Sequence, residues 1–408
     1  MKQFHLSIKD FCYKSAIAAV VAFAVASCGG SQIEVISPDS EVTDSIPAQA
    51  LNVFVENSGS MDGYMAPDAS LTDAVYSYVS RLGEHADTTR LYYINSTVIP
   101  YGGSLSNFIG DLTPEAFAAA GGNRSNSDMA AMIGRFLDSV SDTTTSIFVS
   151  DCILDLNTTG GASTASQLNN RRIAISNAVS ATIKRVPSLG IVVLKMESPF
   201  SGRYFYPDGR TTTLDGAPRP YYIWLAGRRD YLATLLRDVP AENIVGHGFR
   251  EMAGFTRPVA VNYRVTNQAM NGNTVTAIGN QYTLYISADM RPTLQPEATQ
   301  LDTACYRGTG LVPGMSIKRI GQVTNPDSPY SVFLEVAIDR NSRIDQEKIL
   351  FTPPALPEWV EQTDDSGISD VEGRLDRTVG IGALLQGVVE GFNNKNELTD
   401  FTFELKRK

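Results

Sequence analysis

The stretch Val53–Met61, read Val-Phe-Val-Glu-Asn-Ser-Gly-Ser-Met, constrains this chain more than any other. An apolar run ends in a carboxylate, Glu56, and two hydroxyls follow at alternate positions, Ser58 and Ser60, around Gly59. Such a run predicts a buried strand that stops where glycine and serine make a turn. One hard acid and two hydroxyls then gather at a strand tip. An all-oxygen set of this type suits Mg²⁺, Ca²⁺ or Mn²⁺.

The segments that follow alternate in period. Strands are predicted at Leu51–Val55, Arg90–Asn95, Ser146–Ser150, Ile191–Met196 and Tyr221–Ala226. Helical spacing separates them, with Leu71, Val75, Tyr78 and Leu82 on one face, then Met129, Ile133 and Phe136. A long helix is predicted over about Ser166–Arg185, and a short one over Tyr231–Val239. Strand–helix alternation predicts a parallel sheet with helices on both faces. Ligands of such sheets bind beyond the carboxyl ends of the strands. That rule puts Glu56 and Asp151 on one edge. Residues 197–220, with Phe200, Tyr204, Phe205 and Tyr206, read as a hairpin whose aromatics pack on the domain, or else as a loop that carries recognition.

The Glu56-x-Ser58-x-Ser60 loop resembles the first loop of the metal-ion-dependent adhesion site in von Willebrand factor A (vWA) domains, whose pattern is Asp-x-Ser-x-Ser. Ile147–Cys152 resembles the family's third loop, an apolar strand ending in Ser-Asp, with Cys152 where glycine often follows. Asn123–Met132 fills the slot of the second loop, which in the family carries a threonine. Ser127, Ser125 or Asn126 would take that role here, with Ser127 the best fit at a helix start, and Asp128 is a competing carboxylate. The resemblance implies a vWA-like, doubly wound, mostly parallel α/β domain over residues 49–242. It also implies a divalent cation, Mg, Ca or Mn, held by Glu56, Ser58, Ser60, Ser127 and Asp151. An open coordination position would accept a carboxylate from a partner protein. No general base or Gly-x-Ser-x-Gly elbow accompanies the loop, so no catalytic residue is assigned.

The N-terminus reads as a targeting segment. Lys2, Lys9 and Lys14 precede an apolar run, Ser15–Ala26, too short to span a bilayer. Val25-Ala-Ser-Cys28 resembles a bacterial lipoprotein cleavage box. That implies a signal peptide over 1–27, a diacylated Cys28, and a chain exported and lipid-anchored in the envelope. Gly29 in place of aspartate favours the outer membrane. Residues 28–48, rich in Ser, Pro, Asp and Glu, read as a flexible spacer. The formal net charge of −10 excludes a basic nucleic-acid footprint. Cys152 and Cys305 read as buried free thiols in preference to a disulfide, which an oxidising compartment would allow.

From Arg257 the texture changes to period-two alternation, as in Tyr282, Leu284 and Ile286, or Val332, Leu334 and Val336. An antiparallel, sandwich-like β-rich domain is predicted over 250–408. A helix carrying Leu384, Leu385, Val388 and Phe392 is expected to cover one of its sheets, and Asp400–Leu405 to add a last strand. Glu361–Asp376 reads as a solvated acidic loop.

Overall fold

The computed structural model describes residues 31–37, 47, 49–125, 128–156, 163–206, 210–267, 269, 272–309, 314–325, 327–365, 374–393 and 397–408. The expected signal segment, Cys28 and Ser127 lie outside them.

Strand β1 (Gln32–Ile36) pairs far along the chain, with residues 274–276 and 404–407. After it come β2 (Ala50–Glu56), α1 (Leu71–Gly83), β3 (Thr88–Ile94), β4 (Val98–Tyr101), α2 (Leu105–Gly110), α3 (Pro114–Ala120) and α4 (Met129–Asp138). They are followed by β5 (Thr144–Ser150), α5 (Thr164–Arg185), β6 (Leu189–Phe205), β7 (Thr211–Arg228), α6 (Arg229–Asp238) and β8 (Phe249–Thr256). Seven strands form one sheet in the order β4-β3-β2-β5-β7-β6-β8.

Helices cover both faces, which is why β2 and β5 are apolar on alternate and intervening positions alike. Leu51, Val53 and Val55 pack on one side with Leu71, Val75, Tyr78 and Leu82 of α1 and Leu232 of α6. Phe54, Phe148 and Trp224 pack on the other with Ile133 and Phe136 of α4 and Ile175 and Val179 of α5.

The sheet is mixed, not mostly parallel. β2–β3 and β2–β5 are parallel, and the other four pairings are antiparallel. The departure has a local cause. No helical segment separates β6 from β7, so they form a hairpin, paired from Leu189↔Arg228 to Phe205↔Thr211. A hairpin must be antiparallel, and β7 inserts between β5 and β6. The far half of this hairpin is an arm that bends at a register shift between Phe200 and Gly202. It folds back over the carboxyl edge of the sheet, with the Phe200 ring edge-on to Tyr64 at 4.9 Å. Gly63 permits that approach, because a Cβ there would lie 2.3 Å from Phe200. Tyr64, fully buried, donates to the Pro220 carbonyl at 2.6 Å.

The second half contains β9 (Tyr263–Thr266), β10 (Thr274–Thr276), β11 (Gln281–Ala288), α7 (Glu297–Leu301), β12 (Tyr306–Gly308), β13 (Met315–Gln322), β14 (Val332–Asp339) and β15 (Gln346–Phe351). The chain ends with α8 (Glu358–Thr363), β16 (Asp364–Asp365), β17 (Thr378–Val379), α9 (Ile381–Phe392) and β18 (Thr399–Arg407). Two antiparallel sheets, β10-β1-β18-β15-β12 and β13-β14-β11-β9, share a core of Ile33, Val35, Leu284, Ile286, Leu334, Phe351 and Phe401.

Three expected boundaries move. The spacer expected over 28–48 contains β1, an interior strand with Ile33 and Val35 buried. β8, assigned by sequence to the β-rich half, is an edge strand of the seven-stranded sheet. The C-terminal helix α9 covers neither β-rich sheet; it packs on α5 of the first unit. Glycines make that contact close: a Cβ at Gly387 would lie 2.6 Å from the Arg172 carbonyl, and one at Gly391 2.5 Å from Val179. The apolar stripe of α9 required a partner surface without specifying which. Within the acidic loop, Asp364 accepts from the Gly382 N–H at 2.8 Å and Asp365 is buried beside Arg374. Part of that loop is therefore packed structure; Asp370 lies outside the described residues.

Candidate functional site

β2 and β5 lie side by side and parallel, so their ends fall on one edge. Glu56, fully buried, accepts a hydrogen bond from the Ser150 hydroxyl at 2.5 Å. The same Ser150 oxygen accepts the Cys152 N–H at 2.8 Å. Glu56 thereby latches the tip of β2 to the tip of β5. The following turn brings the Ser58 and Ser60 hydroxyls to 2.9 Å of each other.

Arg124, between α3 and α4, holds this turn from outside. Its guanidinium donates to the carbonyls of Asn57, at 2.9 Å, and Ser58, at 3.4 Å, and pairs with Asp62. Its own carbonyl accepts the Gly59 N–H at 3.1 Å. Nearby, Asp128 caps α4 through the Ala131 N–H and pairs with Arg171 at 2.9 Å. That carboxylate is committed to structure. Ser125 donates its N–H to Asn123, and Ser127 and Asn126 lie outside the described residues.

Asp151 is 1% exposed. Its Oδ1 accepts the Ile153 N–H at 3.1 Å, whereas Oδ2 makes no satisfactory hydrogen bond. Burial raises its carboxyl pKa above the ordinary value. The Ile153 N–H, the Ser60 hydroxyl and Arg219 favour the charged form without cancelling that rise. Cys152 then turns the chain at φ +54°, the left-handed region that costs a non-glycine residue about 1–2 kcal/mol. Its buried thiol accepts from the Trp224 indole N–H at 3.3 Å, and burial pushes its pKa up. Cys305 is likewise free and buried.

Arg219 is the feature that sequence reading missed. It lies on β7 beneath the arm and is 1% exposed. Burial opposes its charge, yet Tyr64, Tyr204 and Asp151 outweigh that cost and raise its pKa. The guanidinium stacks on Tyr204 at 4.4 Å and donates to the carbonyls of Leu375, at 2.5 Å, and Arg377, at 3.3 Å. Its Nε and Nη2 have no hydrogen-bond partner. A permanent cation is thus enclosed on the edge that carries Asp151. The available signal was Pro218-Arg219-Pro220 inside an apolar strand pattern, where a charge demands a counter-group.

A divalent ion fits these residues only in part. Adjacent oxygens around Mg²⁺ at about 2.1 Å would sit ~3 Å apart, which the Ser58–Ser60 spacing matches. Asp151 Oδ2 is a spare buried acceptor. Against this, Glu56 is spent on Ser150, Ser58 is 1% exposed, and Arg219 already supplies positive charge. The arm also covers the edge, with Phe205 about 3.9 Å from a Cβ placed on Gly59. Among the described residues, the set as arranged does not fit a dication open to a partner's carboxylate. No family model matches this chain, and no curated protein or solved structure matches it.

Proposed function

We propose that this is an exported, lipid-anchored envelope protein, without catalytic activity, built on a vWA-like unit whose cation site has become a closed structural centre. Lipidation at Cys28 and an outer-membrane location are part of this reading, on the strength of the ordered basic, apolar and cysteine segments. The vWA likeness is supported by β2 and β5 ending in Glu56 and Asp151 on one edge between helical layers. One observation carries the degenerate-site reading: the guanidinium of Arg219 is buried beneath the arm that covers the edge carrying Asp151, stacked on Tyr204 at 4.4 Å. The protein then contributes architecture and surface rather than metal-gated adhesion.

The Ser58–Ser60 spacing of 2.9 Å favours a second reading, in which a Mg, Ca or Mn ion binds and a partner envelope or extracellular protein completes its sphere. Titrating each ion into the protein by calorimetry, with melting followed in parallel, separates the two. The closed centre predicts no saturable heat and no change on chelation. Saturable uptake that Asp151→Asn abolishes, with chelator-sensitive capture of a partner, would establish the second.

A further inference from the structure

β1 fixes where the fold stands relative to a lipid on Cys28. Three Cα–Cα steps lead from Cys28 to Ser31, a reach of about 11 Å at full extension. Ser31 is already in the fold, its carbonyl accepting the Ala277 N–H at 2.9 Å. β1 then runs between β10 and β18 with Ile33 and Val35 buried. The headgroup layer on one side of a bilayer is ~6 Å thick, half the difference between a total of about 42 Å and a core of about 30 Å. Crossing that layer therefore consumes about half of the lead from the lipid and leaves only ~5 Å between the layer and the fold.

The chain enters at one pole of the β-rich unit. Lys408 donates its N–H to the Gln32 carbonyl at 3.0 Å, and Arg407 lies opposite Ile33. The turn at Asp339–Arg343 joins them through Arg407, which donates to the Ser342 carbonyl at 3.1 Å. The turn at Ile278–Gln281 completes the pole, with Asn280 beside Asp339. Ile278 is 72% exposed, the most exposed large apolar side chain among the described residues. The strands and turns that form the pole carry Arg340, Arg343, Lys406, Arg407 and Lys408, against Glu34, Asp339, Asp345 and Glu404. This near-neutral balance, in a chain of net charge −10, spares the pole from repulsion by anionic lipid.

The other end of the same sheet meets the first unit. Leu398, just before β18, lines a cavity there together with Phe255, Val389 and Phe392. Leu294 fills the space against Gly190 and Gly254, at the amino edge of the parallel strands. Nine residues of β18, about 30 Å, separate this junction from the entry pole. The edge carrying Glu56 and Asp151 is at the opposite end of the parallel strands from this junction.

We propose that the Ser31–Ile278–Lys408 pole of the β-rich unit stands directly on the phospholipid surface, with Ile278 in the headgroup layer and the arm-covered edge directed away from the membrane. The proposal rests on the lipidation reading above. The test uses the full, lipid-modified chain in phosphatidylethanolamine–phosphatidylglycerol vesicles, with a polarity-sensitive fluorophore on Ile278→Cys. A second form carries the label on Tyr76→Cys, exposed on α1 of the first unit; the natural cysteines of the fold are buried. A lipid-borne headgroup quencher should quench the label at 278 several-fold more than the label at 76. Equal quenching, with lipidation verified by intact mass, overturns the orientation alone. A mature chain without acyl mass on Cys28 overturns the anchoring reading and the orientation together.

Discussion

Replacing Arg219 with methionine tests whether this side chain is the counter-charge of Asp151. Methionine keeps much of the volume, so the cavity cost is small. The variant leaves the Leu375 and Arg377 carbonyls without their donor, each worth about 1–3 kcal/mol when buried. It also removes a positive charge that favours the ionised form of the buried Asp151 carboxylate. These terms overlap, and a total near ~4 kcal/mol is expected, lowering Tm by roughly 8–16 °C. The decisive measurement is a cycle with Asp151→Asn, read by urea unfolding. Neutralising Asp151 should cost less, or even stabilise, once Arg219 is gone, giving a coupling of about 1–3 kcal/mol. Additivity within ~0.5 kcal/mol would refute the counter-charge argument, whatever the single variants do.

Three further outcomes are expected. Because the carboxyl of Asp151 has a raised pKa, the native state keeps a proton that the unfolded chain releases near 3.8. Its contribution favours folding below that value and is lost as pH rises through the native pKa, so urea midpoints of Asp151→Asn should fall less steeply above pH 3.8 than those of the parent; equal slopes would count against it. At Cys152, glycine relieves about 1–2 kcal/mol of left-handed strain whereas alanine retains it, so Cys152→Gly should unfold at higher urea than Cys152→Ala although both lose the contact to Trp224. A chain starting near Ile46 lacks β1 and its two buried aliphatics, worth about 1.5–3 kcal/mol each, so its β-rich unit should unfold well before that of a chain starting at Ser31; matching melting curves would contradict the strand assignment.

The sequence by itself determined the local elements and the edge they share. β2, α1, β3, α4, β5 and α5 fall where apolar period and turn residues put them, because each must bury a stripe or a face whatever its neighbours are. Glu56 and Asp151 were legible as strand-end residues for the same reason. Tertiary structure alone decided how the pieces were partnered. The hairpin read over residues 197–220 was legible, but only the structure showed that it extends the full length of β6 and β7 and so replaces a parallel pairing in the sheet. β1 and α9 joined partners more than 100 residues away in sequence, since an apolar stripe asks for cover without naming it. Arg219 was invisible as a site residue for a related cause. A charge is neutral evidence in a sequence, and it becomes an electrostatic centre only when folding removes its water and brings Asp151, Tyr64 and Tyr204 around it.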